Sequence, residues 1–242
     1  GVGMCGIVGY VGTPGQSKPA LGVVIDALRR MEYRGYDSAG IALLDGAGGM
    51  AVEKKAGKLD NLVAAVDAAK LDKYPATTGI GHTRWATHGR PTDSNAHPHV
   101  DHQGKIAVVH NGIIENFAPL RAQLEAEGVE FSSDTDSETV THLLHAEYYG
   151  EGPNAGDFHA SVMAVINKLE GAFTLVIAHA DHPGTLMACR RSTPLVIGVG
   201  DHQMFLGSDV AAFIEHTREA VELGQDNVVT ITADGYQITD FA

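Results

Sequence analysis

Apolar residues recur along this chain with two distinct periods. Residues 6–11 form an unbroken short apolar run, which suits a strand buried on both faces. After Pro19, residues Leu21, Val24, Ile25, Leu28 and Met31 fall on one face of a helix. Proline at the first turn favours that start, so an amphipathic helix is predicted to run from there to about Tyr33. Arg34-Gly35-Tyr36-Asp37 then reads as a loop. Residues 41–44 and 50–52 predict a hairpin around Asp45-Gly46-Ala47-Gly48-Gly49. A helix is expected over 59–69 and a strand over 78–82.

Residues 83–103 are polar and rich in His and Pro, and no regular structure is expected there. Residues 106–110 predict a strand that runs into Asn111-Gly112, a dipeptide that favours a turn. A helix over 115–127 is stopped by Gly128. Thr135-Asp136-Ser137-Glu138 has the form of a capping box opening a second helix towards Tyr149. A third helix starts at Asp157, with Phe158, Val162, Val165, Ile166 and Leu169 on one face. From Ala172 onward the pattern changes to short strands, over 173–178, 186–189, 195–199, 204–206, 228–231 and 236–238. Strands, then grouped helices, then strands again predict an α+β fold rather than alternating β-α-β units.

Composition narrows the function classes. The 242 residues are 44% hydrophobic, enough to bury a substantial core. Glycines are scattered through turns, so no linker divides the chain. No run of 18 apolar residues suggests a membrane span, and the start lacks the basic and apolar regions of a secretory signal. The net charge of −13 disfavours nucleic-acid binding. Cys5 and Cys189 are the only cysteines, which excludes a disulfide framework and fits a reducing, cytoplasmic setting.

Cys5 is the focus of the candidate chemistry. It follows Met4, so removal of that methionine would put a thiol and a free α-amine on one residue. Their ordinary pKa values, about 8.5 and about 8, let the amine take the thiol proton near neutral pH. With Met4 attached, the Cys5 nitrogen is an amide and not basic. Cys189, inside a predicted strand, reads as core. In Gly81-His82-Thr83-Arg84-Trp85-Ala86-Thr87-His88-Gly89, Arg84 can hold a carboxylate bidentately, beside the only Trp of the chain. A tight turn at Asn111-Gly112 could aim the Asn111 amide and the Gly112 N–H at one point, as an oxyanion hole, or serve merely as a hairpin turn. Asp136 can cap a helix or bind an ammonium group. Thirteen histidines invite a metal reading, but no ligand motif occurs, so neither metal nor cofactor is expected. Thiol, carboxylate clamp, ammonium partner and oxyanion donors together suit an amino acid with a reactive side-chain carbonyl, such as glutamine.

Several blocks carry a resemblance. Cys5-Gly6-Ile7-Val8-Gly9, the run from Leu28 to Gly40, Gly81 to Gly89, Asn95-Ala96-His97-Pro98-His99, Val108 to Asn116, Asp134 to Glu138 and Ser192 to Gly198 resemble the glutaminase domains of glutamine–fructose-6-phosphate aminotransferases. These are class II glutamine amidotransferases with an N-terminal nucleophile hydrolase fold, a four-layer α-β-β-α sandwich. The resemblance implies that Cys5 is the nucleophile and that Asn111 and Gly112 form the oxyanion hole. It implies that Arg84 binds the glutamine α-carboxylate and Asp136 its α-ammonium, with Trp85, Thr87 and His88 completing the pocket and Arg34 supporting the N-terminal site. The implied partners are L-glutamine and a C-terminal sugar isomerase domain of the same polypeptide. That domain holds fructose 6-phosphate, receives ammonia through a channel, and makes glucosamine 6-phosphate for amino-sugar synthesis. The full-length enzyme is expected to be a homodimer. Residues 5–242 are expected to be one glutamine amidotransferase type 2 domain, lacking the isomerase. Gly1 to Gly3 are expected to be a cloning remnant ahead of initiator Met4, and little glutaminase activity is expected while they stay attached. A glutamine sensor or an assembly module without turnover is the rival from another class.

Overall fold

The structure, a computed structural model, describes residues 5–87 and 89–242. Two antiparallel sheets stack face to face. The first contains β1 (Gly6–Val11), β2 (Ser38–Leu44), β3 (Met50–Ala56), β4 (Thr78–Arg84), β9 (Val196–Val199), β10 (Met204–Gly207) and β11 (Ala220–Glu222). Its spatial order is β11-β9-β10-β1-β4-β2-β3. The second contains β5 (His99–Val100), β6 (Ile106–Ile114), β7 (Gly171–His179), β8 (Leu186–Arg191), β12 (Asn227–Thr232) and β13 (Gly235–Asp240). Its order is β13-β12-β8-β7-β6-β5.

Three cores give four layers. Ile7, Val11 and Ile80 from the first sheet meet Val109, Val176 and Ala188 from the second. Strand alternation sends Val8 and Tyr10 to the opposite face, where they pack with α1 (Ala20–Arg30) and α2 (Leu59–Ala68). On the far side, α3 (Phe117–Ala126), α4 (Ser137–Tyr149) and α5 (Phe158–Ile166) cover Val108, Leu175 and Cys189. This is the expected α+β sandwich. Close helix–sheet approach has a sequence cause at Gly81, where a Cβ would sit 2.6 Å from Val24 Cγ1. Ala20, Val23, Val24, Ala27 and Leu28 of α1 are buried there, while Leu21 and Ile25 lie at the margin.

Two local predictions differ from the structure. Asn111-Gly112 is not a turn: β6 continues to Ile114, with Asn111 opposite Thr174 and Gly112 opposite Phe173. The nine-residue ladder with β7 outweighs the turn preference of the dipeptide, and Gly112 absorbs the mismatch with φ of +110°. The capping box does not form either. Glu138 instead accepts hydrogen bonds from the backbone N–H groups of Ser132 and Ser133, the closest at 2.7 Å, and from His142. Tertiary demand on that carboxylate overrides the local motif. Also, β4 extends to Arg84 and β5 lies within the segment read as irregular, while β11 was not anticipated. No helix among the described residues is long and apolar enough to cross a membrane.

Candidate active site

The first residue of β1 follows Cys5 directly, and side chains pin that strand end. Gly6 N–H donates to Thr83 Oγ1 at 3.1 Å and Ile7 N–H to Ser208 Oγ at 2.6 Å. The half-buried Cys5 thiol accepts the Trp85 backbone N–H at 3.2 Å. From the second sheet, Asn111 Nδ2 donates to the Cys5 carbonyl at 2.7 Å. The site therefore lies where the start of β1 meets the late residues of β6. Burial pushes the Cys5 thiol pKa up; the Trp85 N–H and the charges of Arg84 and Arg34 offset this in part, and Asp37 reinforces it. A thiol so held stays protonated at neutral pH and needs a base before it can attack.

Cys5, Asn111 and Gly112 open onto one cavity of about 360 Å³, and Arg84, Trp85, Thr87 and Asp136 also line it. The Arg84 side chain is buried and donates to the carbonyls of Arg90 at 3.1 Å and Gly89 at 3.4 Å. Asp136 does not cap its own helix. Its carboxylate crosses to accept the Ile114 N–H at 2.8 Å, which fixes it against the end of β6. A buried cation and a buried anion thus share a wall with the thiol. Arg34 lies elsewhere: it pairs with Asp209 at 3.3 Å and reaches Cys5 only through its charge. His88 and residues 1–4 lie outside the described residues.

Four buried histidines cluster at the cavity: His97 and His110 line it, with His82 and His99 beside them. His97 stacks on His82 with ring centroids 4.0 Å apart, and His97 Nδ1 accepts the His110 N–H at 3.2 Å. Ser137 Oγ lies 2.8 Å from His110 Nδ1, and Thr135 Oγ1 lies 2.9 Å from His99 Nε2. Burial lowers the pKa of all four, that of His82 to about 3, so the rings are neutral. Lys54 holds the adjoining loop by donating to the carbonyls of Ser94, Ala96 and Pro98, at 3.2, 2.9 and 3.2 Å. Burial brings its pKa down to about 8.

A thiol, an amide donor and an opposed charge pair in one cavity call for comparison with known amide-processing domains. A family model described as glutamine amidotransferase domain matches residues 82–215, more than half of the chain. The chain belongs to this family.

Among curated relatives, a Mycolicibacterium smegmatis glutamine–fructose-6-phosphate aminotransferase (isomerizing) is 68% identical over 242 residues. The match covers 99% of this chain but 38% of that protein. The Streptomyces coelicolor protein of the same name is 57% identical, with 98% of this chain and 37% of the relative covered. The chain therefore spans well under half the length of these relatives. A Bacillus subtilis glutamine phosphoribosylpyrophosphate amidotransferase solved with ADP and GMP superposes with a TM-score of 0.79 at 23% identity, over 98% of this chain and 49% of that one. A class-II glutamine aminotransferase domain protein from Silicibacter pomeroyi gives 0.62 at 18% identity, covering 98% of this chain and all of that one. These likenesses show that the two-sheet α+β sandwich is a fold shared with those solved proteins.

Sequence reasoning missed two residues near the thiol and its cavity. Asp37 bears on Cys5 through its charge, and its Oδ2 accepts the Ala86 N–H at 3.0 Å. Thr193 lines the cavity from beyond β8. Asp37 closes the Arg34-Gly35-Tyr36-Asp37 loop, in which the resemblance implied a role for Arg34 alone. Thr193 lies in the Ser192 to Gly198 block that carries the resemblance, but the resemblance implied no role for it.

Proposed function

We propose that this domain hydrolyses the side-chain amide of L-glutamine, with Cys5 as nucleophile once its α-amine is free. The observation that carries this reading is the opening of Cys5, Asn111 and Gly112 onto the same cavity as Arg84 and Asp136. The α-amine of Cys5 takes the thiol proton, and the thiolate attacks the glutamine Cδ. Charge then develops on the amide oxygen, which the Asn111 Nδ2–H and the Gly112 N–H stabilise. Collapse breaks the C–N bond, the amine proton passes to the leaving nitrogen, and ammonia departs. Water, deprotonated by the same amine, attacks the γ-glutamyl thioester and releases glutamate and the thiol.

Arg84 binds the α-carboxylate and Asp136 the α-ammonium, with Trp85 and Thr87 enclosing the chain between them; His88 belongs to this set by the resemblance. Arg34 supports the strand end at a distance. In the longer protein, the ammonia serves a C-terminal isomerase domain that converts fructose 6-phosphate to glucosamine 6-phosphate, in a cytoplasmic homodimer. While Met4 is bonded to Cys5, the nucleophile lacks its base.

Ammonia release from glutamine, measured on protein trimmed so that Cys5 is residue one, tests the reading. Turnover that Cys5→Ala abolishes is expected. Comparable turnover by material whose intact mass includes all 242 residues would overturn the role of the amine.

A further inference from the structure

We propose that His82 is a positioning residue for Asn111: its ring N–H holds the Asn111 side-chain oxygen and so turns the amide nitrogen towards Cys5. This inference rests on the oxyanion role given above to Asn111. His82 belongs to β4 in the first sheet and Asn111 to β6 in the second, so the contact ties the two sheets together behind the thiol. His82 Nε2 lies 3.0 Å from the His110 carbonyl oxygen and 3.1 Å from Asn111 Oδ1. Both partners are acceptors. Nε2 must therefore carry the hydrogen, which leaves Nδ1 as the bare nitrogen, buried without a hydrogen-bond partner among the described residues.

The orientation of Asn111 is fixed from both ends. Its nitrogen must face Cys5, because it donates to the Cys5 carbonyl at 2.7 Å. Its oxygen must face His82, because only an acceptor suits Nε2–H. One Nδ2 hydrogen is spent on the Cys5 carbonyl, and the second is the one available for charge developing on substrate oxygen. Rotating the carboxamide by half a turn would set Oδ1 against the Cys5 carbonyl and against that developing charge, and Nδ2–H₂ against His82 N–H. Two like-facing pairs would replace two hydrogen bonds. Without the imidazole, only the Cys5 carbonyl selects the productive orientation.

The ring is also suited to remain neutral. Arg84 stands two residues along the same strand, so its side chain projects from the same face of β4, and His97 stacks on the ring with centroids 4.0 Å apart. A second positive charge beside Arg84, far from water, is disfavoured. A neutral donor holds the amide without competing for the oxyanion.

The test uses protein trimmed to start at Cys5. His82→Leu removes the donor, whereas His82→Gln keeps an N–H near the Nε2 position. His82→Leu is expected to lower kcat by roughly 10- to 100-fold, below the full loss of an oxyanion donor of about 10²–10³. KM for glutamine should change little, and His82→Gln should recover most of the loss. The double variant His82→Leu/Asn111→Ala should be no slower than Asn111→Ala alone, an outcome that a merely structural role for His82 would not produce. Multiplicative losses would overturn the positioning role. If Asn111→Ala alone leaves kcat unchanged, the oxyanion reading of Asn111 fails instead. Nitrogen NMR of the unmutated protein is independent of variant folding: His82 should show a protonated Nε2 and a bare Nδ1 from pH 5 to 8. The opposite tautomer would overturn the inference.

Discussion

Gly112→Ala probes the join between fold and chemistry. Gly112 lies inside β6 with φ of +110°, and a Cβ there would press directly on the carbonyl oxygen of Ala172 in β7. It would also sit 2.9 Å from the Ala172 carbonyl carbon and 3.1 Å from Phe173 Cα. These are backbone atoms in a continuous ladder, so they cannot rotate away as a side chain could. The positive φ costs an alanine about 1–2 kcal/mol. Forcing an extra carbon into a packed site adds about 1–3 kcal/mol. Together the expected loss is about 2–5 kcal/mol, a large part of a typical domain stability of about 5–15 kcal/mol. Gly128 supplies the control: its φ is +94° but nothing lies within 4 Å of a Cβ there, so Gly128→Ala should show only the first part. Urea unfolding at pH 7.5 separates the two, provided the slope is unchanged. Relief of the clash also moves the Gly112 N–H, so ammonia release should fall by about 10²–10³ for Gly112→Ala and stay near normal for Gly128→Ala. Equal destabilisation by the two variants would refute the β6–β7 register on which the oxyanion site depends.

Acid should destabilise the domain through its buried imidazoles. His82 falls to about 3 and His179 to about 4, against about 6.5 in the unfolded chain, and His97, His99 and His110 are lowered too. The unfolded state therefore binds more protons below pH 6.5, and stability present above that pH is lost as pH falls. Each imidazole adds a slope of about 1.4 kcal/mol per pH unit, and His82 alone about 5 kcal/mol in all; urea midpoints that stay level from pH 7 to 5 would contradict this. Arg84→Lys should raise KM for glutamine about 10- to 100-fold through loss of the planar fork, with a smaller change in kcat, as read by steady-state ammonia release. Lys54→Met should lower stability by about 2 kcal/mol in urea unfolding, because three carbonyls of the 94–98 loop lose their charged donor.

Periodicity made much of the fold legible. The 6–11 run matches β1, and the helix expected from Asp157 begins with that side chain accepting the Ala160 N–H. What failed was local chemistry overruled at a distance. Asn111-Gly112 favours a turn only when no partner strand is present, and β7 supplies one. Glu138 forms a capping box only when nothing else claims its carboxylate, and Ser132, Ser133 and His142 do. Strand β11 is only three residues long, Ala220–Glu222, and so left no period to detect. The polar residues named from sequence around Cys5 lie on its cavity wall, apart from Arg34, held by Asp209, and His88, outside the described residues. The histidine cluster carried no such signal, because the burial that keeps the rings neutral comes from three strands, β4, β5 and β6, and the loop that holds His97.

The most direct measurement is covalent trapping of the nucleophile. Protein trimmed to begin at Cys5 is treated with the glutamine analogue 6-diazo-5-oxo-norleucine, and the adduct is mapped by peptide mass spectrometry. A single adduct on Cys5, slowed by added glutamine and accompanied by loss of ammonia release, is predicted, with Cys189 unmodified in the core. An unmodified Cys5, or labelling that glutamine does not slow, would contradict the assignment of Cys5 as the nucleophile of a glutamine site.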